Sequence, residues 1–342
     1  MGMRGYILKR VGYSIILLFF VISLNFLIFE LMPGSAAQLR INPSRPLQGQ
    51  LERLEEIWGF RQPLHIRFLK YVTNMLTWQF GDSLVSMAPV ADEMMWRLPY
   101  TLVLLGGSTL ISLAIGVFLG VLVAQRRGSK FDTGWVVAAL ITFSLPTFWM
   151  GMLFKYLFAY NLNLLPALHA YPDTWNIQGN WPTPITFNVL GSQIVLPGGI
   201  EILARLSHMV LPMAVLVLFQ YGGWLLLTKA TMLEALTEDY IVTARAKGVK
   251  ERTVLFKHAL KNASLPLITN AALSFGFVLS GAIITESVFV WPGLGGWTWQ
   301  AIQVKDIPVL QAVFYVIALC VIVANFIADL LYGIVDPRIK YG

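Results

Sequence analysis

The chain has 342 residues, of which 56% are hydrophobic and only 13% are charged, and its mean hydropathy is +0.66. Soluble domains carry roughly 25% charged residues, so this composition excludes an ordinary soluble protein and indicates a membrane protein. The net charge of +7 does not indicate nucleic-acid binding, because the basic residues lie in short patches between apolar runs, where such patches set the orientation of membrane segments.

Six apolar segments are long enough to cross a bilayer, which takes about 20 helical residues. A backbone in lipid must satisfy its own hydrogen bonds, so each segment is predicted to be helical and the fold class all-α. The first segment follows a basic N-terminus, as in a secretory signal peptide, but its apolar run is too long for one, and we expect a retained helix. The segments are 11–31, 98–124, 134–158, 210–228, 263–285 and 307–328.

The short connections between these segments predict the orientation of the chain. Basic residues cluster after the second segment, at Arg126, Arg127 and Lys130, and again after the fourth, in 229–261. The C-terminal residues are also basic, whereas the connections on the other side are poorer in basic residues. Because cytoplasmic loops carry the excess of Lys and Arg, both termini are predicted to be cytoplasmic.

Two long connections lie on the predicted outer side. In 32–97, apolar residues recur at helical spacing around 51–58 and 68–76, which predicts short helices at the membrane interface. The connection 161–205 is rich in Pro, Asn, Gly and aromatic residues and is predicted to be an ordered outer loop. Its rings, including Tyr171, Trp175 and Trp181, either pack on the ends of the third and fourth helices or contact a protein outside the membrane.

The inner connection 229–262, here called the elbow, is too long for a simple turn between two membrane helices. Good helix formers run up to Gly248, a plausible stop, and 253–260 can form a second helix, so the sequence predicts two helices joined by a turn. The small residues Ala244, Ala246 and Gly248 would let another protein approach closely. Alternatively, this basic segment lies on anionic lipid.

Residue identities in the elbow resemble those of a known family. Thr-Ala-Arg-Ala-Lys-Gly at 243–248, followed by Lys-His-Ala-Leu-Lys-Asn-Ala at 257–263 and Pro266, resembles the signature loop of ABC importer permeases, in the oligopeptide, dipeptide and nickel branch. The general family pattern begins Glu-Ala-Ala; here Val242 and Thr243 hold the first two positions, while Ala244 and Gly248 are retained. The connection 161–205 resembles the family least and is interpreted as an insertion. Further matching motifs lie at 7–10, 32–34, 62–64, 80–83, 97–99, 126–129, 286–289, 292–295 and 336–339.

The resemblance implies a six-helix permease of the type I importer class, forming one transmembrane domain over 1–342 in the inner membrane of a prokaryote. Its partners would be a second, similar but distinct permease, two cytosolic ATPase subunits that hold ATP and Mg, and an extracytoplasmic binding protein. The elbow would be the coupling helix that docks in the ATPase. The implied contact residues are Tyr240, Thr243, Ala244, Arg245 and Gly248.

The chain itself is predicted to be a non-catalytic subunit without its own cofactor or metal. It contains no Gly-x-x-x-x-Gly-Lys-Ser/Thr phosphate loop, and its four histidines are scattered. Oligopeptides are the expected cargo, with oligosaccharides and nickel chelates as alternatives that permease sequence discriminates poorly. An ion-coupled secondary transporter would show inverted repeats, and a membrane-embedded enzyme would show a catalytic constellation; neither pattern is evident in the sequence.

Polar and aromatic residues near the spans each have two interpretations. The amides Asn25, Gln220, Asn270 and Asn325 either line a water-filled substrate path or join helices by hydrogen bonds. Trp291 and Trp297 either belong to an aromatic belt at the membrane interface or contact the binding protein, as Trp175 and Trp181 would.

Overall fold

A computed structural model describes residues 3–31, 62–172, 185–189, 192–196, 199–278 and 282–335 of the chain. Several predicted features lie outside the described residues: the first interfacial helix at 51–58, Trp175 and Trp181, and the C-terminal motif at 336–339.

The described residues are mainly helical. Two π-helical turns, Leu102–Gly106 and Val254–Ala259, lie at helix junctions. A third, Lys155–Asn161, continues the helix Thr147–Phe154. The helices are α1 Met3–Glu30, α2 Leu64–Leu76, α3 Val90–Thr101, α4 Gly107–Gln125, α5 Lys130–Ser144, α6 Thr147–Phe154, α7 Gly199–Ala235, α8 Asp239–Ala246, α9 Glu251–Thr253, α10 Leu260–Val278, α11 Ile283–Val288, α12 Leu294–Val304 and α13 Ile307–Val335.

Among the described residues, four helices are long and apolar enough to cross a membrane, and the number rises to five if one bent pair is a single span. These helices coincide with the first, second, fourth and sixth predicted spans, and the bent pair with the third. The fifth predicted span overlaps α10, which carries Lys261, Asn262 and Asn270 and is not one of the four. The four are Ile7–Glu30, Val90–Gln125, Ile200–Ala235 and Ile307–Ile327.

The third span is bent, whereas the sequence predicted an uninterrupted helix over 134–158. α5 and the helix from Thr147 to Asn161 meet at 97°. Leu145 between them is extended, with φ −77° and ψ 131°, because the ring of Pro146 disfavours the helical conformation in the preceding residue. Pro146 also lacks the N–H that would continue the hydrogen-bond ladder.

The predicted all-α class omits a β-hairpin in the connection 161–205. β1 Ile185–Val189 pairs antiparallel with β2 Ser192–Leu196, with Ile185 opposite Leu196 and Val189 opposite Ser192. β-branched and aromatic residues alternate with polar ones in β1, and such residues favour strands. The predicted ordered loop therefore contains a β-hairpin, which its sequence had not predicted.

The chain divides into two compact units, the first comprising Met1–Thr101, Ile268–Ile283 and Gly293–Gly342. In this unit α1 packs along α13, and α2, which was predicted at the membrane interface, packs on α1 and adds Tyr71 and Met75 to the buried core. Two ion pairs fasten α1: Arg10 Nη1 lies 2.9 Å from Asp329 Oδ2, and Arg67 Nη2 lies 2.6 Å from Glu30 Oε2.

The second unit comprises Leu102–Leu267 and Ile284–Pro292, and its centre is the contact between α4 and α7. Gly116 and Gly120 of α4 face Trp224 and Thr228 of α7. A Cβ added at Gly116 would lie 2.3 Å from Trp224 Cβ, and one at Gly120 would lie 2.5 Å from Thr228 Cβ. Only glycine permits this approach of the two helices, and the closeness gives the pair extensive van der Waals contact.

Candidate functional site

The elbow contains the two helices that the sequence predicts. α7 ends at Ala235, and after a short turn Glu238 adopts an extended conformation and α8 begins at Asp239. α8 has eight residues and ends at Ala246, after which Glu251 begins the helical path that leads through Val254–Ala259 into α10. A short helix thus projects between two long ones.

Gly248 forms the turn after α8. Its φ is +72°, a left-handed conformation that favours glycine. Two hydrogen bonds close the turn: Gly248 N donates to Arg245 O at 2.9 Å, and Val249 N donates to Ala244 O at 3.2 Å. A Cβ at Gly248 would meet nothing within 4 Å. The backbone conformation, rather than the close approach suggested by the sequence, is therefore what requires glycine within this chain.

The inner face of α8 belongs to the elbow's own core. Ile241 is fully buried and Ala244 is 9% exposed; because they are three residues apart, they lie on one face of the helix. The Ala244 side chain thus packs within the chain, and its contact with a partner stays a prediction. The surrounding cluster contains Val121, Ala124, Met232, Ala235, Val254, Leu255, Ala259 and Ala263.

The opposite face of α8 is exposed. Val242 is 61% exposed, and Thr243 and Ala246 are exposed beside it. Tyr240, at 36% exposure, flanks this face, and its hydroxyl donates to Ala235 O at 3.4 Å. We call Val242, Thr243 and Ala246 the outer face of α8. Val242 departs from the general family pattern and was not among the predicted contact residues, although its helical placement opposite Ile241 and Ala244 could have indicated an exposed contact position.

Arg245 spans the turn to Glu251 instead of pointing freely outward. Its Nε donates to Glu251 Oε2 at 3.2 Å and its Nη2 to Glu251 Oε1 at 2.8 Å, a forked geometry that fixes both side chains. The two side chains are 46% and 43% exposed, so the pair contributes at most about 1 kcal/mol. Arg245 therefore holds α8 against the start of α9.

The same hydrogen bonds shift both groups toward their charged forms. The guanidinium holds the pKa of Glu251 below its usual value, and Glu251 raises the pKa of Arg245. A carboxyl group whose pKa is lowered by folding contributes its stability above its ordinary pKa, and loses it as the pH falls through the lowered pKa. The fork is therefore intact throughout the neutral range.

A second set of polar contacts lies at the base of the elbow. Lys229 Nζ of α7 donates to Asp132 Oδ1 of α5 at 2.5 Å, and Asp132 Oδ2 accepts from Gly128 N at 2.9 Å. Ser129 Oγ accepts from Asp132 N at 3.2 Å and caps the first turn of α5. We call Gly128, Ser129, Asp132 and Lys229 the inner clamp. Gly128 and Ser129 belong to the motif at 126–129 that contributes to the family resemblance.

Two of the four intramembrane amides join helices. Asn25 Nδ2 of α1 donates to Gln311 O of α13 at 3.1 Å, and Asn25 is 5% exposed. Gln220 Oε1 of α7 accepts from Thr109 Oγ1 of α4 at 3.2 Å. These contacts fit the interhelical alternative for both residues. Asn270 is exposed and Asn325 is partly exposed.

The two tryptophans expected at the outer surface are buried. Trp291 is 4% exposed, and Trp297 is 6% exposed with the Arg97 guanidinium 5.1 Å from its ring centroid. Both rings therefore pack within their own chain, and their contact with the binding protein stays a prediction. The nearby Trp299 is 47% exposed instead, because α12 presents the two positions on different faces. Among the described residues, no group of three His, Cys, Asp or Glu side chains could hold a metal ion.

The chain belongs to the family described as the binding-protein-dependent transport system inner membrane component, which matches residues 116–341. This segment includes the elbow and the inner clamp. Together with the apolar helices, the match identifies a multi-pass inner-membrane protein, a permease subunit of an ABC importer. Such permeases hydrolyse no ATP themselves and work with ATPase and binding-protein partners.

Full-length relatives place the chain in the peptide branch of this family. The oligopeptide transport system permease protein AppB of Bacillus subtilis (strain 168) is 36% identical over 340 residues, which is 99% of this chain and 100% of that protein. The dipeptide transport system permease protein DppB of Escherichia coli (strain K12) is 36% identical over 344 residues, 99% of each chain. The glutathione transport system permease protein GsiC of Salmonella paratyphi A is 33% identical over 339 residues, which is 99% of this chain and 100% of that protein.

Proposed function

We propose that this chain is the transmembrane subunit of an importer that moves oligopeptides, delivered by an extracytoplasmic binding protein, across the inner membrane. Relatives named for oligopeptide, dipeptide and glutathione transport support a peptide cargo over oligosaccharides or a nickel chelate. The chain pairs with a second, distinct permease, and ATP and Mg are bound by two cytosolic ATPase subunits.

The proposed topology has six spans and two cytoplasmic termini in a single transmembrane domain over 1–342. The fifth span is proposed at 263–285, which α10 overlaps, and the bent pair forms the third. The segment 32–97 and the connection 161–205 then face outward, and the elbow 229–262 faces the cytoplasm. The basic residues Arg126, Arg127 and Lys130, which lie just before and at the start of α5, support this orientation.

The elbow is the proposed docking site for the ATPase, and the exposed outer face of α8 is the observation that carries this function. A short helix with an apolar side chain as exposed as Val242 and a small one at Ala246 suits a groove in a partner protein. Tyr240 and Thr243 flank and extend this face. Arg245, Gly248 and Ala244 act indirectly, by fixing the angle of α8 and packing it on the elbow core.

The test is association of the solubilised chain with its ATPase after Val242→Arg. A charged side chain in an apolar docking groove should abolish association, while the thermal stability of the chain stays unchanged because Val242 packs little against it. Val85→Arg is the matched control, since Val85 is 64% exposed in the segment proposed to face outward. Normal association of the Val242→Arg chain would contradict docking through this face and favour the alternative in which the elbow lies on anionic lipid.

The connection 161–205 is proposed to form a cap that touches the docked binding protein through aromatic residues such as Trp175 and Trp181. The hairpin of β1 and β2 supports an ordered cap. Replacing 185–196 by a short flexible linker should weaken binding-protein docking and leave ATPase association unchanged. Unchanged docking after this deletion would contradict the cap.

The two amides that are at least partly exposed, Asn270 and Asn325, are proposed to line the substrate path. Asn25 and Gln220 are proposed to hold helices together rather than to contact the cargo. Replacing Asn270 or Asn325 by Leu should then change transport more than stability. Replacing Asn25 or Gln220 should change stability more than transport.

A further inference from the structure

The inner clamp joins three segments at one end of the second unit. Lys229 lies in α7, six residues before that helix ends and the elbow turns into α8. Asp132 lies in the first turn of α5, and Gly128 lies in the turn between α4 and α5. One carboxylate therefore connects the helix that leads into the elbow with the turn that leads into the bent third span.

The clamp is more enclosed than an ordinary surface ion pair. The Asp132 side chain is 9% exposed and the Lys229 side chain 22% exposed, and both carboxylate oxygens are hydrogen-bonded. By contrast, the Arg245–Glu251 fork is more than 40% exposed on both sides. Removing one partner of an enclosed pair leaves a poorly solvated charge, so the enclosed pair holds its helices more firmly than the fork does.

Close helix packing leads directly to the clamp. Gly120 of α4 contacts Thr228, and Thr228 is the residue before Lys229. α4 and α7 therefore cannot slide past each other at this level, because a shift would drive Thr228 into the α4 backbone. α5 packs against α7 farther along, where Gly222 lies close to Ala139, and its first turn is tied to α7 by the Lys229–Asp132 contact.

We propose that Asp132 and Lys229 are a positioning pair that transmits displacement of the elbow to α5, the first half of the bent third span. This role rests on the proposed docking of the elbow with an ATPase. When α8 is displaced, α7 moves with α4 by packing, and the clamp carries this movement to the start of α5, ahead of the place where Ala139 packs on Gly222. Without the clamp, α7 moves but the start of α5 lags behind, so ATP hydrolysis continues while the span that must rearrange does not follow.

The experiment uses the complete transporter, with both permeases, the ATPases and the binding protein, reconstituted in proteoliposomes. ATP hydrolysis and peptide uptake are measured together for Lys229→Met, Asp132→Asn and the double variant. In each variant the uptake per ATP should fall about tenfold, a usual size for coupling between sites, while ATPase association is retained. The double variant should be no worse than the poorer single variant, because both changes remove the same contact.

Two further variants make the test specific. Lys229→Arg keeps a cation within reach of Asp132 and should restore most of the uptake per ATP. Lys130→Met removes an exposed lysine from the same turn of α5 and should leave the ratio at the wild-type value. These variants separate loss of the contact from loss of any positive charge near the membrane.

The outcomes are distinguishable from one another. If Lys229→Met lowers thermal stability, and uptake and hydrolysis fall together so that their ratio is unchanged, the clamp is structural and the proposal is overturned. An additive loss in the double variant would also overturn it. Failure of the wild-type chain to bind any ATPase would instead refute the proposed function of the elbow, and the ratio could then not be formed.

Discussion

Ala244 and Ala246 are chemically identical and two residues apart, yet the fold gives them opposite surroundings. Ala244 packs against Val254 and the rest of the elbow core, whereas Ala246 is exposed on the outer face of α8. The 100° step between successive helical residues explains the difference, because two residues two positions apart point to nearly opposite sides. A small residue in a signature motif can therefore either be exposed for contact with a partner or pack in the core of its own chain.

The two alanines give a matched pair of substitutions. Ala244→Leu adds volume to a packed cluster and should destabilise the chain by about 1–3 kcal/mol. Ala246→Leu adds the same volume to open space and should leave stability unchanged while weakening association with the ATPase. Thermal unfolding in detergent and a binding titration measure the two effects, and equal losses of stability in both variants would contradict the assignment of the two faces.

Gly248 offers a test of backbone conformation at the turn. Gly248→Ala places a Cβ on a residue with φ of +72° and should cost roughly 1–2 kcal/mol, although the side chain would meet no neighbour. Gly248→Asn should cost less, because asparagine tolerates the left-handed region better than other residues that carry a Cβ. Unfolding midpoints would rank the three chains, and a ranking with alanine above asparagine would show that φ is not what selects glycine here.

At the scale of elements, the contact of α4 with α7 depends on the absence of side chains at two positions. The Gly120→Ala Cβ would lie 2.5 Å from Thr228 Cβ and 2.8 Å from Leu225 O, and backbone atoms cannot yield without moving the helix. We expect this substitution to lower the thermal stability of the chain and to impair transport, because α7, which leads into the elbow, would be displaced from its place against α4.

Gly223 of α7 is the control for this substitution. A Cβ there meets nothing within 4 Å, so Gly223→Ala should be neutral or stabilise the helix by up to about 1 kcal/mol. The two alanine variants should thus change the unfolding temperature in opposite directions or, at the least, by clearly different amounts. Equal shifts would indicate that the close approach of α4 and α7 is looser than the structure has it.

The elements that the sequence predicted well are those with long apolar runs. α1, α7 and α13 follow from hydropathy because a bilayer demands both their length and their composition. The bend at Leu145–Pro146 and the hairpin of β1 and β2 were missed for different reasons. A proline in an apolar run changes the direction of a helix without changing its hydropathy, and the alternation in β1 is only five residues long.

The candidate site was predictable in part. Gly248 and the two helices beside it could be recognised because a terminating glycine has a local signature. The burial of Ala244 and of Trp297 could not, because it depends on contacts with residues distant in sequence, such as Val121 for the elbow and Arg97 for the tryptophan. The fork from Arg245 to Glu251 depends on the turn geometry, which residue types alone do not specify.

At the scale of the whole molecule, the six-span topology can be tested by cysteine labelling. Cys320 is the single native cysteine and is replaced by alanine first. Cysteines at exposed positions 127 and 250 should then react from the cytoplasm alone, and cysteines at positions 85 and 299 from outside alone. A membrane-impermeant maleimide, applied to right-side-out and inverted vesicles, reports the side, and any position labelled from the opposite side would contradict the proposed topology.

The first unit is assembled from both ends of the chain, which has a consequence for its biosynthesis. The amide of Asn25 finds its acceptor at Gln311, 286 residues later, and Arg10 finds Asp329. At a synthesis rate of about 5–20 residues per second, α1 waits roughly 15–60 s for α13 to leave the ribosome. Most of the second unit lies in one continuous stretch, Leu102–Leu267, and can pack while translation continues. The earliest helix to enter the bilayer is therefore among the last to acquire its packing against α13, and a nascent chain stalled before α13 would leave the Asn25 amide without its acceptor at Gln311.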